Sequence, residues 1–147
     1  MGFSLVAATA IIGVSIVMCL EIIVGTTIPM VTNLNESFDN MKNRAIFQIQ
    51  TCIDITNATY EINGSNYDIN ITLKNNGSIT LQTTNFDTLI NGIKCEFNCS
   101  KSYLFPEHEV YFNILNISGA EEKRLKIITN NGISDYYVLM LPWLKKS

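Results

Sequence analysis

Seven asparagines stand in the acceptor triplet Asn-x-Ser/Thr: Asn35, Asn57, Asn63, Asn70, Asn76, Asn98 and Asn116. The chemistry on offer is glycan attachment to the side-chain amide, which marks exported surfaces. Random placement of 17 Asn among 10 Ser and 13 Thr gives about 2.7 such triplets, so seven is an excess. The competing reading is that Asn and Thr are abundant simply as turn and strand residues. Cys95 and Cys99 flank Glu96-Phe97-Asn98 and offer a second chemistry, a disulfide that staples a loop outside the cell. In a reducing habitat they are free thiols. Cys52 makes three cysteines beyond the first helix, so all cannot pair within one chain.

Complete catalytic sets are missing. An acyl-transfer triad needs its base, and the sole histidine is His108, in Pro106-Glu107-His108-Glu109. A lone His between acids at a strand entrance reads as a solvated loop residue. Zinc would need a fourth ligand beside the three cysteines, and no C-x2-C pair exists. Glu121-Glu122 sits beside Lys123-Arg124 in an expected turn, and nothing marks a hydrolytic carboxylate pair. No glycine-rich phosphate loop is present. Net charge is −3 and pI about 5.0, with no basic stripe for nucleic acid. Lys123-Arg124-Leu125-Lys126 and Lys145-Lys146 read as solvated. The expectation is a non-enzymatic protein without cofactor or metal, acting through a surface.

Such a surface must be held somewhere. From Phe3 to Leu20 there is no charged residue, and apolar character resumes at Ile22–Val24. Eighteen uncharged residues at 1.5 Å each cover roughly 27 Å, close to a hydrocarbon core. A cleaved signal would want a basic start and a shorter apolar run. Met1-Gly2-Phe3-Ser4 carries no side-chain cation, so an uncleaved anchor is expected, ahead of a cleaved signal or a filament-core helix. Glu21 marks its outer boundary. Lys42 and Arg44 would weakly place the large domain in the cytoplasm. The glycan triplets point the other way, and an extracytoplasmic domain is expected.

Met30, Leu34, Phe38, Met41 and Ala45 recur at helical spacing and predict an amphipathic stalk, a candidate for self-pairing. Pro29 predicts a kink between anchor and stalk. The period then becomes two. Phe47, Ile49, Thr51, Ile53 and Ile55 alternate with polar residues, and so do Tyr67, Ile69, Ile71 and Leu73. Asn75-Asn76-Gly77-Ser78 turns the chain into an expected strand over 79–84. Asn91-Gly92 predicts a hairpin turn, and Asn130-Asn131-Gly132 a further turn before Ser134–Leu139. Seven or eight short strands predict an antiparallel immunoglobulin-like sandwich. The Cys…Trp…Cys hallmark of antibody domains is absent, because Trp143 lies beyond every cysteine. The predicted order is an anchor over 1–29, a helical stalk over 30–46 and an extracytoplasmic β-sandwich over 47–147.

The Met-Gly-Phe-Ser start running into one apolar helix resembles the archaeal flagella-related proteins F. Asn75–Leu81, Asp87–Ile93, Leu104-Phe105-Pro106-Glu107 and Lys126–Tyr136 resemble motifs that proteins F and G share. The family's usual Pro-Gly is Pro106-Glu107 here. The resemblance covers nearly the whole chain, and the opening tetrapeptide favours F. It implies a component of the archaellum motor, anchored in the archaeal cell membrane with an immunoglobulin-like sandwich beneath the S-layer. It implies a stator that binds the S-layer protein and holds the motor against torque. Protein G and other motor proteins would be its partners. A pilin-like filament subunit, a tethered envelope-binding module unrelated to motility and an exported enzyme remain the alternatives.

Overall fold

The computed structural model describes residues 2–119 and 121–142, so Trp143 and Lys145-Lys146 lie outside the described residues. The chain divides into two compact units, 1–43 and 44–147.

In the first unit, helix α1 (Gly2–Ile22) exposes apolar side chains on every side. A helix apolar all round needs an apolar surround. Two of its hydroxyls donate internally: Thr9 to Leu5 O and Val6 O, and Ser15 to Ile11 O. Neither of these O–H donors would then be stranded in lipid. Twenty-one residues rise about 31 Å, enough to cross a membrane by length and composition.

At Pro29 the chain does not leave helical structure. The chain stays helical through a π turn at Ile23–Thr27 into α2 (Ile28–Gln50), closed by Ile28 N–H donating to Ile23 O. Proline lacks an N–H and presses on the carbonyl four residues back. The wider π turn opens the ladder just ahead of it. Met30, Leu34, Phe38 and Met41 are exposed along α2, as are the polar residues between them.

The alternation from Phe47 to Gln50 is also helical rather than extended. Four residues cannot separate period two from period 3.6. Thr51 ends the helix, its N–H on Gln48 O and its hydroxyl on Phe47 O at 2.7 Å. The first strand therefore begins at Ile53.

The second unit holds ten antiparallel strands among the described residues. They are β1 (Ile53–Asn63), β2 (Asn66–Asn75), β3 (Leu81–Gln82), β4 (Asp87–Ile90) and β5 (Ile93–Cys95), followed by β6 (Asn98–Cys99), β7 (Tyr103–Leu104), β8 (Glu109–Ile117), β9 (Glu121–Ile128) and β10 (Ser134–Leu141). One sheet runs β1-β2-β8-β6, the other β10-β9-β4-β5, with β3-β7 as a small third pair. Ile69, Ile71, Leu73, Val110, Phe112 and Ile114 from the first sheet meet Ile90, Leu125, Ile127 and Leu139 from the second in one buried cluster. The two sheets therefore face each other as a sandwich. Phe112 sits between Phe86 and Phe97, at centroid distances of 6.0 and 5.0 Å.

Asn91 and Gly92 take φ of 51° and 83°, the backbone a two-residue hairpin demands. The strand expected over 79–84 shrinks to β3, followed by a 3-10 turn at Thr83–Asn85. Thr83 is buried there, its hydroxyl bonded to Lys101 O and its N–H to Ser102 O. Glu121-Glu122 opens β9 instead of forming a turn, because both residues pair with the end of β10.

Candidate functional site

Asn35 lies on α2, Asn57 and Asn63 on β1, Asn70 on β2, Asn76 in the loop leaving β2, Asn98 on β6 and Asn116 on β8. Asn70 is half-buried and the other six are exposed. All four strands of the first sheet thus carry an acceptor triplet, while the four strands of the second contain no asparagine.

Cys95 and Cys99 fall on different sheets, on β5 and β6, at the corner where the chain crosses between them. Both are half-buried free thiols packed on the core with Phe97. Cys95 Sγ donates to Ile93 O, and Cys99 Sγ to Lys101 O. His108 is exposed, with Nδ1 2.9 Å from Pro106 O and its ring edge against Phe105. The Glu107 carboxylate goes to Lys74 Nζ at 3.0 Å. Glu122 lies 3.4 Å from Arg124 Nε.

The structure assembles something the sequence reading missed, at the end of the sandwich entered by α2. Asn131, within the third turn signal, donates its side-chain amide to Phe47 O and Thr51 Oγ1, and its carbonyl accepts from Gln48 Nε2. From the other side, Asn76 N and Gly77 N donate to Cys52 O, and Ser78 N to Gln50 O. Gly77 permits this approach. A Cβ there would run into the Gln50 carbonyl and lie 2.7 Å from Cys52 N. Fully buried Asn75 ties the same loop inward, donating to Ile79 O and Leu104 O and accepting from Gly77 N.

Three of the stretches that carry the family resemblance therefore converge on residues 47–52. Asn75–Leu81 and the 126–136 stretch reach them directly. Leu104–Glu107 reaches them through Asn75, whose carbonyl accepts from Glu107 N at 2.8 Å. Each bond of this kind is worth about 1 kcal/mol net. Spread over two loops, they lock the last helical turn against twisting out of the sandwich. A cleft of about 540 Å³, lined by Arg44, Phe47, Gln48, Gln82 and Asn130, opens beside the joint.

No family model matches the chain. It is similar to a protein of Methanocaldococcus jannaschii provisionally named flagella-related protein F, with 24% identity over 145 residues, covering 95% of this chain and 99% of that one. Its fold is similar to that of the archaellum periplasmic stator protein FlaG from Sulfolobus acidocaldarius. The TM-score is 0.53 at 22% identity, over 60% of this chain and 99% of the other.

Proposed function

From the premise that the chain is a homologue of flagella-related protein F, we propose that it is a membrane-anchored stator component of the archaellum. Helix α1 sits in the archaeal cell membrane, and the sandwich lies beneath the S-layer and binds the S-layer protein. Rotor torque is thereby held by the envelope. The chain works by contact and not by catalysis, beside a protein G and the other motor proteins, and its stalk offers a face for a second copy. The observation that carries this reading is the end-to-end match to protein F, which spans both the apolar helix and the sandwich.

The physics of the role is consistent with the joint at residues 47–52. A stator must pass force from an anchor to a binding face without the connection yielding. Hydrogen bonds from two loops to the final helical turn do this better than a flexible linker would. Asn35, Asn57, Asn63, Asn70, Asn76, Asn98 and Asn116 are proposed glycan acceptors on the exported surface. Oxidation of Cys95 and Cys99 would tie the corner between the sheets, and non-reducing peptide mapping after alkylation decides whether they are bridged.

The test is a strain lacking this chain. It should be non-motile while still making the motor proteins, and the full chain should restore swimming. A version without residues 2–22 should not. Normal swimming in the deletion strain would defeat the proposal and leave the tethered envelope-binding module in its place.

A further inference from the structure

Resting on the envelope-binding reading above, we infer that the outer face of sheet β10-β9-β4-β5 is the docking face. Its partner is a protein surface whose acidic side chains surround an apolar centre.

The first observation is the partition of acceptor asparagines. A glycan is bulky and water-seeking, and it keeps other proteins off the surface that carries it. Asn57, Asn63, Asn70, Asn98 and Asn116 distribute such groups over β1, β2, β6 and β8, and the opposite sheet has none. The sandwich therefore has one face suited to a glycan coat and one left bare.

The second observation is what the bare face displays. Along β10, Tyr136, Val138 and Met140 point outward and are 62%, 53% and 68% exposed, while Leu139 and Leu141 point into the core. β10 is the last strand of its sheet, so this apolar row sits at the sheet's margin, where Asp135 accepts from Ile55 N–H of β1. Cross-strand register sets Lys126 beside Tyr136 and Arg124 beside Val138. The Lys126 ammonium lies 4.6 Å from the Tyr136 ring centroid. Arg124, Lys126 and Tyr136 border a depression of about 500 Å³ with Leu89, Asn91 and Gly92. An aromatic residue, a methionine and an arginine on one patch match the composition of protein-binding centres.

The third observation is charge. In a chain of net charge −3, Arg124 and Lys126 stand on this face with Lys94 on β5. Arg124 and Lys94 each have an acidic neighbour, Glu122 and Asp87, whereas Lys126 is held by the tyrosine ring. The outward positions of β1, β2 and β8 instead present Asp54, Glu61, Asp68 and Glu109 against the single cation Lys74. With three cations against Asp87 and Glu122 the bare face is net positive, so a second copy docking there would set like net charges together, which disfavours self-pairing.

The experiment is co-sedimentation of the full chain, in detergent micelles, with isolated S-layer sheets. R124E/K126E and V138E alter the bare face, and Y111E and L115E alter the outward face of the first sheet without touching an acceptor triplet. Circular dichroism checks that each variant keeps the β signal. We expect the bare-face variants to bind at least tenfold more weakly, wild-type binding to weaken with salt, and Y111E and L115E to stay within twofold. Sedimentation unchanged by R124E/K126E and V138E would overturn the assignment of the face alone. So would a wild-type dimer that V138E dissociates without affecting S-layer binding. Failure of the wild-type chain to sediment at any salt would instead defeat the envelope-binding reading beneath it.

Discussion

The side-chain amide of Asn131 lies 2.6 Å from the hydroxyl of Thr51, eighty residues earlier in the chain. The same amide donates to Phe47 O at 3.2 Å, so one turn residue closes the last turn of α2 from outside. Asn131→Ala removes both bonds and leaves a part-buried hydroxyl without this donor. It should cost about 1–3 kcal/mol, read from denaturant unfolding of the sandwich signal in the full chain. Combined with Thr51→Val, it should show a coupling energy of at least about 0.5 kcal/mol. Strict additivity would mean that the pair carries nothing.

Gly77→Ala should be more harmful than its modest chemistry implies. The added methyl meets backbone at both Gln50 and Cys52, and backbone cannot step aside as the tip of a side chain can. A loss of about 1–3 kcal/mol is expected from the forced shift. Gly25→Ala, whose Cβ meets nothing within 4 Å, should be neutral or slightly stabilising. Equal effects of the two changes on thermal unfolding would refute the close-approach argument.

Ile69→Asp and Ile71→Asp should each prevent folding of the sandwich, because both side chains are fully buried between the sheets. Thr72→Asp, one residue on and facing outward, should leave the β signal in circular dichroism intact. If all three behave alike, the register of β2 is wrong.

Glu107 takes φ of 62°, so its backbone is strained as an L residue. Glu107→Gly relieves roughly 1–2 kcal/mol of that strain. It also gives up an exposed ion pair to Lys74 and adds freedom to the unfolded chain, each worth up to about 1 kcal/mol. The melting temperature should therefore barely move. Glu107→Val, β-branched at positive φ, should lower it clearly.

Topology has its own test. Protease added to intact cells stripped of their S-layer should digest residues beyond about 30. Digestion only after lysis would place the sandwich inside the cell.

Strand β2 was legible from sequence because it is dry on one face and wet on the other, and that contrast writes itself as period two. The Asn91-Gly92 hairpin was legible because few other pairs tolerate its backbone. Where the helix stops was not, since Phe47–Gln50 fits either period and the deciding contacts come from Asn131. β3 was overestimated for a related reason: Thr83 is captured by Lys101 O, a partner that local pattern does not show. Asn131 itself read only as a turn former. The triplets were visible one by one, but their gathering on one sheet depends on the strand order β1-β2-β8-β6, which alternation does not encode.

The π turn at Ile23–Thr27 has a geometric corollary. It takes up about one residue more than an α turn, and one residue is about 100° of azimuth on a helix. The stripe Leu34-Phe38-Met41 therefore points in a direction set by that surplus residue, not by an unbroken ladder from Gly2. α1 is apolar at every azimuth and would not register a change of phase. Closing the π turn to an α turn with no residue lost, as Pro29→Ala would favour, would leave the anchor as greasy as before while swinging the stripe by roughly a quarter turn. The π turn thus acts as an angular setting for whatever the stalk meets, independent of how firmly the helix is held.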